Sequence, residues 1–167
     1  MKEALPAALL VPLAACVGGP PTPVVDEAVE VPRVHAVLDA LHARASEADG
    51  ERYFALFADG AVFYGTDATE RWTVEEFRAY AEPFFSQGRG WTYVSTERSV
   101  FLGPWGDVAW FDERLQNEKY GEVRGSGVLR KVAGDWRVAQ YNLSFPVPND
   151  LAADLVERVR ALSAEGE

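Results

Sequence analysis

GDVAWFDERLQNEKYGEVRGSGVLRKVAGDWRVAQYNLSFPVP, residues 106–148, is the stretch whose reading decides the fold. Runs rich in Val, Trp, Phe, Tyr and Leu break at Gly121 and again at Ala133-Gly134-Asp135. Glycine there supplies the positive φ of a hairpin turn, so the stretch reads as three consecutive antiparallel strands in one curved sheet. Successive side chains on a strand alternate faces, and a slip of one residue inverts the whole set. Of two possible pairings, the preferred one sets Leu129 opposite Val138. It places Val123, Gly125, Gly127 and Leu129 beside Trp136, Val138, Gln140, Asn142 and Ser144 on a covered face. Arg124, Arg130 and Arg137 then share the outer face with Val128, Tyr141, Leu143 and Phe145. Two glycines leave the covered face partly unfilled, and Asn142 and Ser144 tip it with polar groups, which describes a pocket better than a solid core.

The run DVAWFDERL, followed by RGSGVLRKVAGDWRVAQYNLSFPVPN, has a glycine turn, a strand-opening Trp136 and a polar strand end at Asn142 and Ser144. It resembles the C-terminal half of SnoaL-like domains of the nuclear transport factor 2-like superfamily. The resemblance covers Val34 to Asn149, extending upstream through FADGAVFYGTDATERW. It implies an α+β fold: a cystatin-like cone, in which a strongly curved antiparallel sheet wraps around N-terminal helices with a pocket between them, plus a C-terminal helix. The superfamily includes isomerases, cyclases, dehydratases, targeting modules and proteins without known activity, so the fold alone does not choose a chemistry.

A chain of 167 residues, 48% hydrophobic and 12% aromatic, can bury one sizeable core and is not a disordered chain. Its formal charge of −10 argues against a nucleic-acid partner, which needs clustered Lys and Arg. Residues 1–15 read as a secretory signal with Lys2 before an apolar run, closed by a bacterial lipobox, Leu13-Ala14-Ala15-Cys16. Cys16 would carry the lipid, residues 16–31 would form a Pro/Gly-rich tether, and the domain would occupy residues 32–167. That places the protein in the bacterial cell envelope, touching membrane only through Cys16. The alternative is a cytoplasmic protein in which Cys16 is a small apolar residue of a leader interrupted by Pro6 and Pro12. A lone cysteine excludes an internal disulfide and a cysteine-rich metal site.

From Pro32 onward Val34, Val37, Leu38, Leu41 and Ala45 recur at helical spacing, with Pro32 suited to a first turn. His35 and His42 share a side of that helix and read as surface or rim residues. ERYFALFA, residues 51–58, continues as a short helix, and AVFYGT, residues 61–66, as a strand. Thr73 with Glu76 forms a capping box for a helix whose Phe77, Tyr80, Ala81 and Phe84 lie on one side. A strand follows from Trp91 to Leu102. The final helix, Asn149 to Leu162, carries a stripe of Leu151, Leu155, Val159 and Leu162 suited to covering the sheet or to association.

No phosphate loop, zinc signature or nucleophile elbow is present, so neither a cofactor nor a metal is expected. In DVAWFDERL, Val108, Trp110, Asp112 and Arg114 alternate with Ala109, Phe111, Glu113 and Leu115. By analogy with related cones the first set is assigned inward. Asp112 beside Trp110 is then a candidate general base, or else an acid paired with Arg114. Glu70 and Trp72 could close the pocket mouth, and Tyr64 could present its hydroxyl to a carbonyl, as a tyrosine does in ketosteroid-isomerase-like members. Trp110, Gln140, Asn142 and Ser144 complete the expected ligand contacts. Tyr64 and Trp72 equally suit packing. The favoured function is an envelope-tethered protein binding a small hydrophobic or carbonyl-bearing molecule. One alternative is an isomerase or cyclase using Asp112. Another is a homodimeric interaction module joined through Tyr141, Leu143 and Phe145.

Overall fold

The computed structural model describes residues 25–165. The expected signal segment, Cys16 and most of the tether lie outside them. Helix α1, Glu27–Ser46, buries the stripe Val34, Leu38, Leu41 and Ala45, as its apolar spacing requires. It begins at Glu27 and holds Pro32 inside, rather than starting at Pro32. The early start is anchored by Glu30, whose carboxylate accepts from Trp136 Nε1 at 2.7 Å and pairs with Lys131 Nζ at 2.8 Å. Helix α2, Gly50–Phe54, is capped by Asp49, and α3, Val74–Phe85, by the reciprocal Thr73/Glu76 capping box. In α3 the buried residues are Phe77, Ala81 and Phe85, while Tyr80 is exposed.

The strands are β1 Phe57–Tyr64, β2 Arg71–Thr73, β3 Val94–Leu102, β4 Val108–Asn117, β5 Gly121–Val132 and β6 Asp135–Ser144. They form one curled sheet in the order β2-β1-β6-β5-β4-β3. Neighbours are antiparallel except β1 and β6, which run parallel. The hairpin between β5 and β6 turns on Ala133 and Gly134, both at positive φ (51° and 91°), the geometry that matches strand twist. Strand β1 starts at Phe57, earlier than expected, because the chain passes through an irregularity between Phe57 and Val62 in which Gly60 takes φ 72°.

Leu129 does pair with Val138, but Val128 pairs with Gln140, which leaves Ala139 as an extra residue on β6. This bulge reverses the facing of everything after it. Tyr141 lies opposite Gly127 and Leu143 opposite Gly125, and both side chains are buried. Gln140 is exposed, and Asn142 and Ser144 are half-buried on the other face, contrary to their expected place inside. Nor do the glycines leave a void. A Cβ on Gly125 would collide with the Tyr141 hydroxyl and the Glu113 side chain, and one on Gly127 with the Gln140 carbonyl and the Phe111 ring.

The core lies between α1, α2, α3 and the concave sheet face, centred on Leu38, Tyr53, Phe77, Leu115, Leu129 and Val138. After a 3₁₀ turn at Asn149–Leu151, helix α4, Ala152–Glu165, leaves Leu155, Val159 and Leu162 exposed rather than covering sheet. No helix among the described residues is long and apolar enough to cross a membrane.

Because the obstacle at Gly127 is backbone, Gly127→Ala should lower stability by about 2 kcal/mol in urea denaturation. An unchanged midpoint would contradict the close approach at the bulge.

Candidate functional site

The concave face and the helices frame a cavity of about 260 Å³, just below the usual range for small-molecule sites. Its walls are aromatic because the sequence places rings on five elements that reach it: Tyr53 on α2, Phe63 on β1, Trp72 on β2, Phe77 on α3 and Tyr141 on β6. Phe63 and Phe77 stack with centroids 3.9 Å apart, Phe77 is within 3° of parallel to Trp72, and Phe63 within 5° of parallel to Tyr141. One wall is therefore a layered set of parallel ring faces, a surface that fits a flat ligand. Tyr80, Trp91, Tyr93 and Tyr120 add to the lining, with Thr66 and Glu70 as further polar groups.

His42 lines this cavity from α1, one helical turn past the buried Leu38. Its Nε2 lies 2.8 Å from Glu113 Oε1, and the Glu113 side chain is 0% exposed. The same oxygen accepts from the Tyr141 hydroxyl at 2.8 Å, and Oε2 accepts from Arg98 Nε at 2.7 Å. Arg98 extends to Asp39 Oδ1 at 2.7 Å and to the His35 carbonyl at 3.4 Å, tying β3 and β4 to α1. Burial alone would raise the Glu113 pKa, but hydrogen bonds and charge from His42 and Arg98 outweigh it and bring it to about 2. Burial, then the Glu113 charge and hydrogen bond, push the Tyr141 hydroxyl well above its ordinary value, so it remains a donor.

An ionised carboxylate can only accept, so His42 Nε2 carries a proton whether the ring is charged or neutral, and in the neutral tautomer Nδ1 is the nitrogen with a free lone pair. No described residue hydrogen-bonds His42 Nδ1. A carboxylate that fixes a tautomer and stabilises the imidazolium equips a histidine to accept and return protons. Among the described residues no group of three or more His, Cys, Asp or Glu converges as metal ligands do.

The structure places several candidate residues elsewhere. The alternation within β4 holds, but Ala109, Phe111, Glu113 and Leu115 point inward, whereas Val108, Trp110 and Asp112 are exposed on the convex face. Trp110 stacks on Phe101 there, with centroids 5.8 Å apart. Asp112 is thus neither a buried base nor a partner of Arg114, which pairs with Glu122 at 2.6 Å and Glu97 at 3.5 Å. Tyr64, Asn142 and Ser144 line an adjoining open groove with Leu155, which shares Gly65, Thr66, Glu70 and Leu143 with the cavity. Glu70 and Trp72 do line the cavity. Tyr141 and Leu143, expected to join two copies, belong to the core. His42 lies in the site rather than at the surface. Glu113 and Arg98 escaped the sequence reading, although the hairpin at Gly121 held the signal. Counting back from the Asn117–Gly121 pair sets Glu113 opposite Gly125, on the face already assigned inward.

The depressed Glu113 pKa implies a stabilising contribution that is fully present above the ordinary 4.5 and lost as pH falls toward about 2. Its size is on the order of 3 kcal/mol. Glu113→Gln should lose about that much at neutral pH, since Arg98 is left without its buried counter-charge. It should also flatten the acid limb of the stability curve between those two values. Denaturation midpoints measured across that range check both, and an unshifted acid limb would contradict the assignment.

Residues 34–148 match the SnoaL-like domain model. A search of curated proteins gives no match. Among solved structures, a nuclear transport factor 2-like protein of unknown function from Pseudomonas putida KT2440 superposes with a TM-score of 0.61 at 16% identity, over 75% of this chain and 92% of that one. A dehydratase candidate of the nuclear transport factor 2-like family from Streptomyces avermitilis gives 0.63 at 13%, over 74% and 100%. A protein of unknown function from Mycobacterium tuberculosis gives 0.58 at 22%, over 83% and 89%. Likeness at these identities speaks for the fold, and the domain match spans well over half of the 167 residues. The chain is a member of the SnoaL-like domain family, built on the nuclear transport factor 2-like cone.

Proposed function

We propose that this domain binds a small, flat, largely apolar molecule bearing a carbonyl group, and that His42 moves a proton on it. The observation that carries this reading is the 2.8 Å contact between His42, on the cavity wall, and the buried Glu113 behind it. In the reaction, His42 Nδ1 removes a proton from the carbon next to the carbonyl and the C–H electron pair passes to the carbonyl oxygen. The imidazolium then returns the proton to the same or a conjugated carbon. Glu113 stabilises the imidazolium formed midway. Tyr53 also lines the cavity, and burial raises its pKa, so its hydroxyl stays protonated and suits the developing oxyanion. The Streptomyces avermitilis dehydratase candidate shares this fold, and dehydration next to a carbonyl begins with the same proton removal.

The lipobox at Leu13-Ala14-Ala15-Cys16 supports a further part of the proposal, that the domain is tethered to the bacterial envelope.

Two measurements test these points. A two-ring ketone such as β-tetralone, incubated in D₂O and followed by NMR, should exchange its α-protons faster with the wild type than in buffer. His42→Gln should lower that rate by about 10²-fold or more while the ketone still binds. Exchange that survives in His42→Gln would end the proton-transfer reading and leave a binding protein. For the tether, the full chain expressed in a bacterium should fractionate with membranes, and Cys16→Ser should shift it to the soluble fraction. Equal fractionation of the two would remove the anchor.

A further inference from the structure

The cavity wall that includes Glu70 differs from the wall at His42. Among the described side chains lining the cavity, Glu70 is the only carboxylate, and no Lys or Arg is among them. The Glu70 carboxylate accepts the Asp67 backbone N–H at 3.1 Å, and no described cation pairs with it. It is held in place because its own backbone closes the turn between β1 and β2, with its carbonyl accepting from Gly65 N at 2.9 Å. Around it stand Trp72 and Tyr80, stacked at 4.7 Å, with Tyr93 and Tyr120. Glu70, Tyr80, Tyr93 and Tyr120 line one cavity, and burial, then the charges of Tyr120, Tyr80 and Glu70, raise the Tyr93 hydroxyl pKa. Tyr80 and Tyr120 are nearly half exposed (46% and 45%), so this is the open end.

Aromatic faces present negative charge and attract cations, most strongly where water is partly excluded, and a carboxylate beside them adds to the attraction. One ammonium of the chain already uses the site's edge. Lys119 Nζ lies 4.7 Å from the Tyr120 ring centroid and donates to its hydroxyl at 3.1 Å. An anionic group at this open end would meet Glu70, and no described Lys or Arg lines the cavity to receive it. The chain's charge of −10 adds long-range attraction for cations.

We propose that the open end of the cavity, formed by Glu70, Trp72, Tyr80, Tyr93 and Tyr120, recognises a cationic nitrogen, a protonated or quaternary amine, carried by the flat ligand. This rests on the small-molecule reading above and adds the charge of the molecule. Excluded as ligands are carboxylates, phosphates and other anions of similar shape.

The test is calorimetric titration of the full-length protein with three flat two-ring probes: N-methylquinolinium, neutral quinoline at mildly alkaline pH, and anionic naphthoate. N-methylquinolinium should bind about tenfold more tightly than quinoline, and naphthoate most weakly. Glu70→Gln keeps the acceptor for Asp67 N–H and removes the charge. It should reduce the affinity for N-methylquinolinium about tenfold and leave that for quinoline unchanged. Trp72→Ala should weaken both, which locates them in this cavity. If the three probes bind equally, or if Glu70→Gln leaves the cation preference intact, the inference falls and the small-molecule reading stands. If none binds, both fall.

Discussion

A single buried carboxylate organises this fold. Glu113 has no solvent contact through its side chain, and an unpaired charge in such a place would cost several kcal/mol. It is tolerated because donors come to it from three other elements: His42 from α1, Arg98 from β3 and Tyr141 from β6. Each of these also has a second task. Arg98 reaches back to Asp39 and His35 on α1, so the long helix is pinned to the sheet by charge as well as by Val34, Leu38 and Leu41. The network is not closed, since Arg98 Nη2 is buried without a partner among the described residues. Stabilising the helix–sheet joint and orienting His42 are thus the work of one group.

That arrangement depends on a backbone irregularity. Without the extra residue at Ala139, β6 would keep the phase set by Trp136 and Val138, and Gln140 and Asn142 would point at Phe111 and Glu113, respectively. The bulge instead delivers Tyr141, whose ring extends the parallel stack of Phe63 and Phe77 and whose hydroxyl reaches Glu113. Gly125 and Gly127 make the delivery possible, since any side chain at either position would occupy the space that Tyr141, Glu113 and Phe111 fill. Bulge and glycines are complementary parts of one device: the first re-aims a side chain and the second clears its path.

Much of the frame was legible in the sequence because it is set by local rules. The apolar spacing of α1, the capping box at Thr73 and Glu76, and the turns at Gly121 and Ala133-Gly134 each follow from backbone geometry within a few residues. The site was less legible for two reasons. In β4 both alternating sets hold an acid and a large aromatic ring, so composition cannot choose between Asp112 with Trp110 and Glu113 with Phe111. Register can, since a residue directly opposite an inward glycine faces inward too, and the β4–β5 hairpin is regular throughout. The bulge is a different matter, because Ala139 carries no local signature and the pairing of Leu129 with Val138 is satisfied on both sides of the ambiguity. His42 was undervalued for a related reason: its partner is 71 residues away, beyond any motif read along the chain.

The ionisation of Glu113 divides the roles within the site. With a pKa near 2, it is anionic throughout the neutral range and too weak a base to take a proton from carbon. It can accept hydrogen bonds, fix the His42 tautomer and hold an imidazolium. Tyr141 is excluded as a donor to ligand for the complementary reason, since its one proton is already given to Glu113 and both burial and that neighbour oppose its loss. Arg98 lies behind the carboxylate and does not reach the cavity lining. Of the residues in this network only His42 and Tyr141 line the cavity, which leaves His42 for the proposed proton transfer. Because His42, Arg98 and Tyr141 all bond Glu113, a substitution there changes fold stability together with the orientation of His42, so its effect on the proposed proton transfer is interpretable only alongside a measured stability.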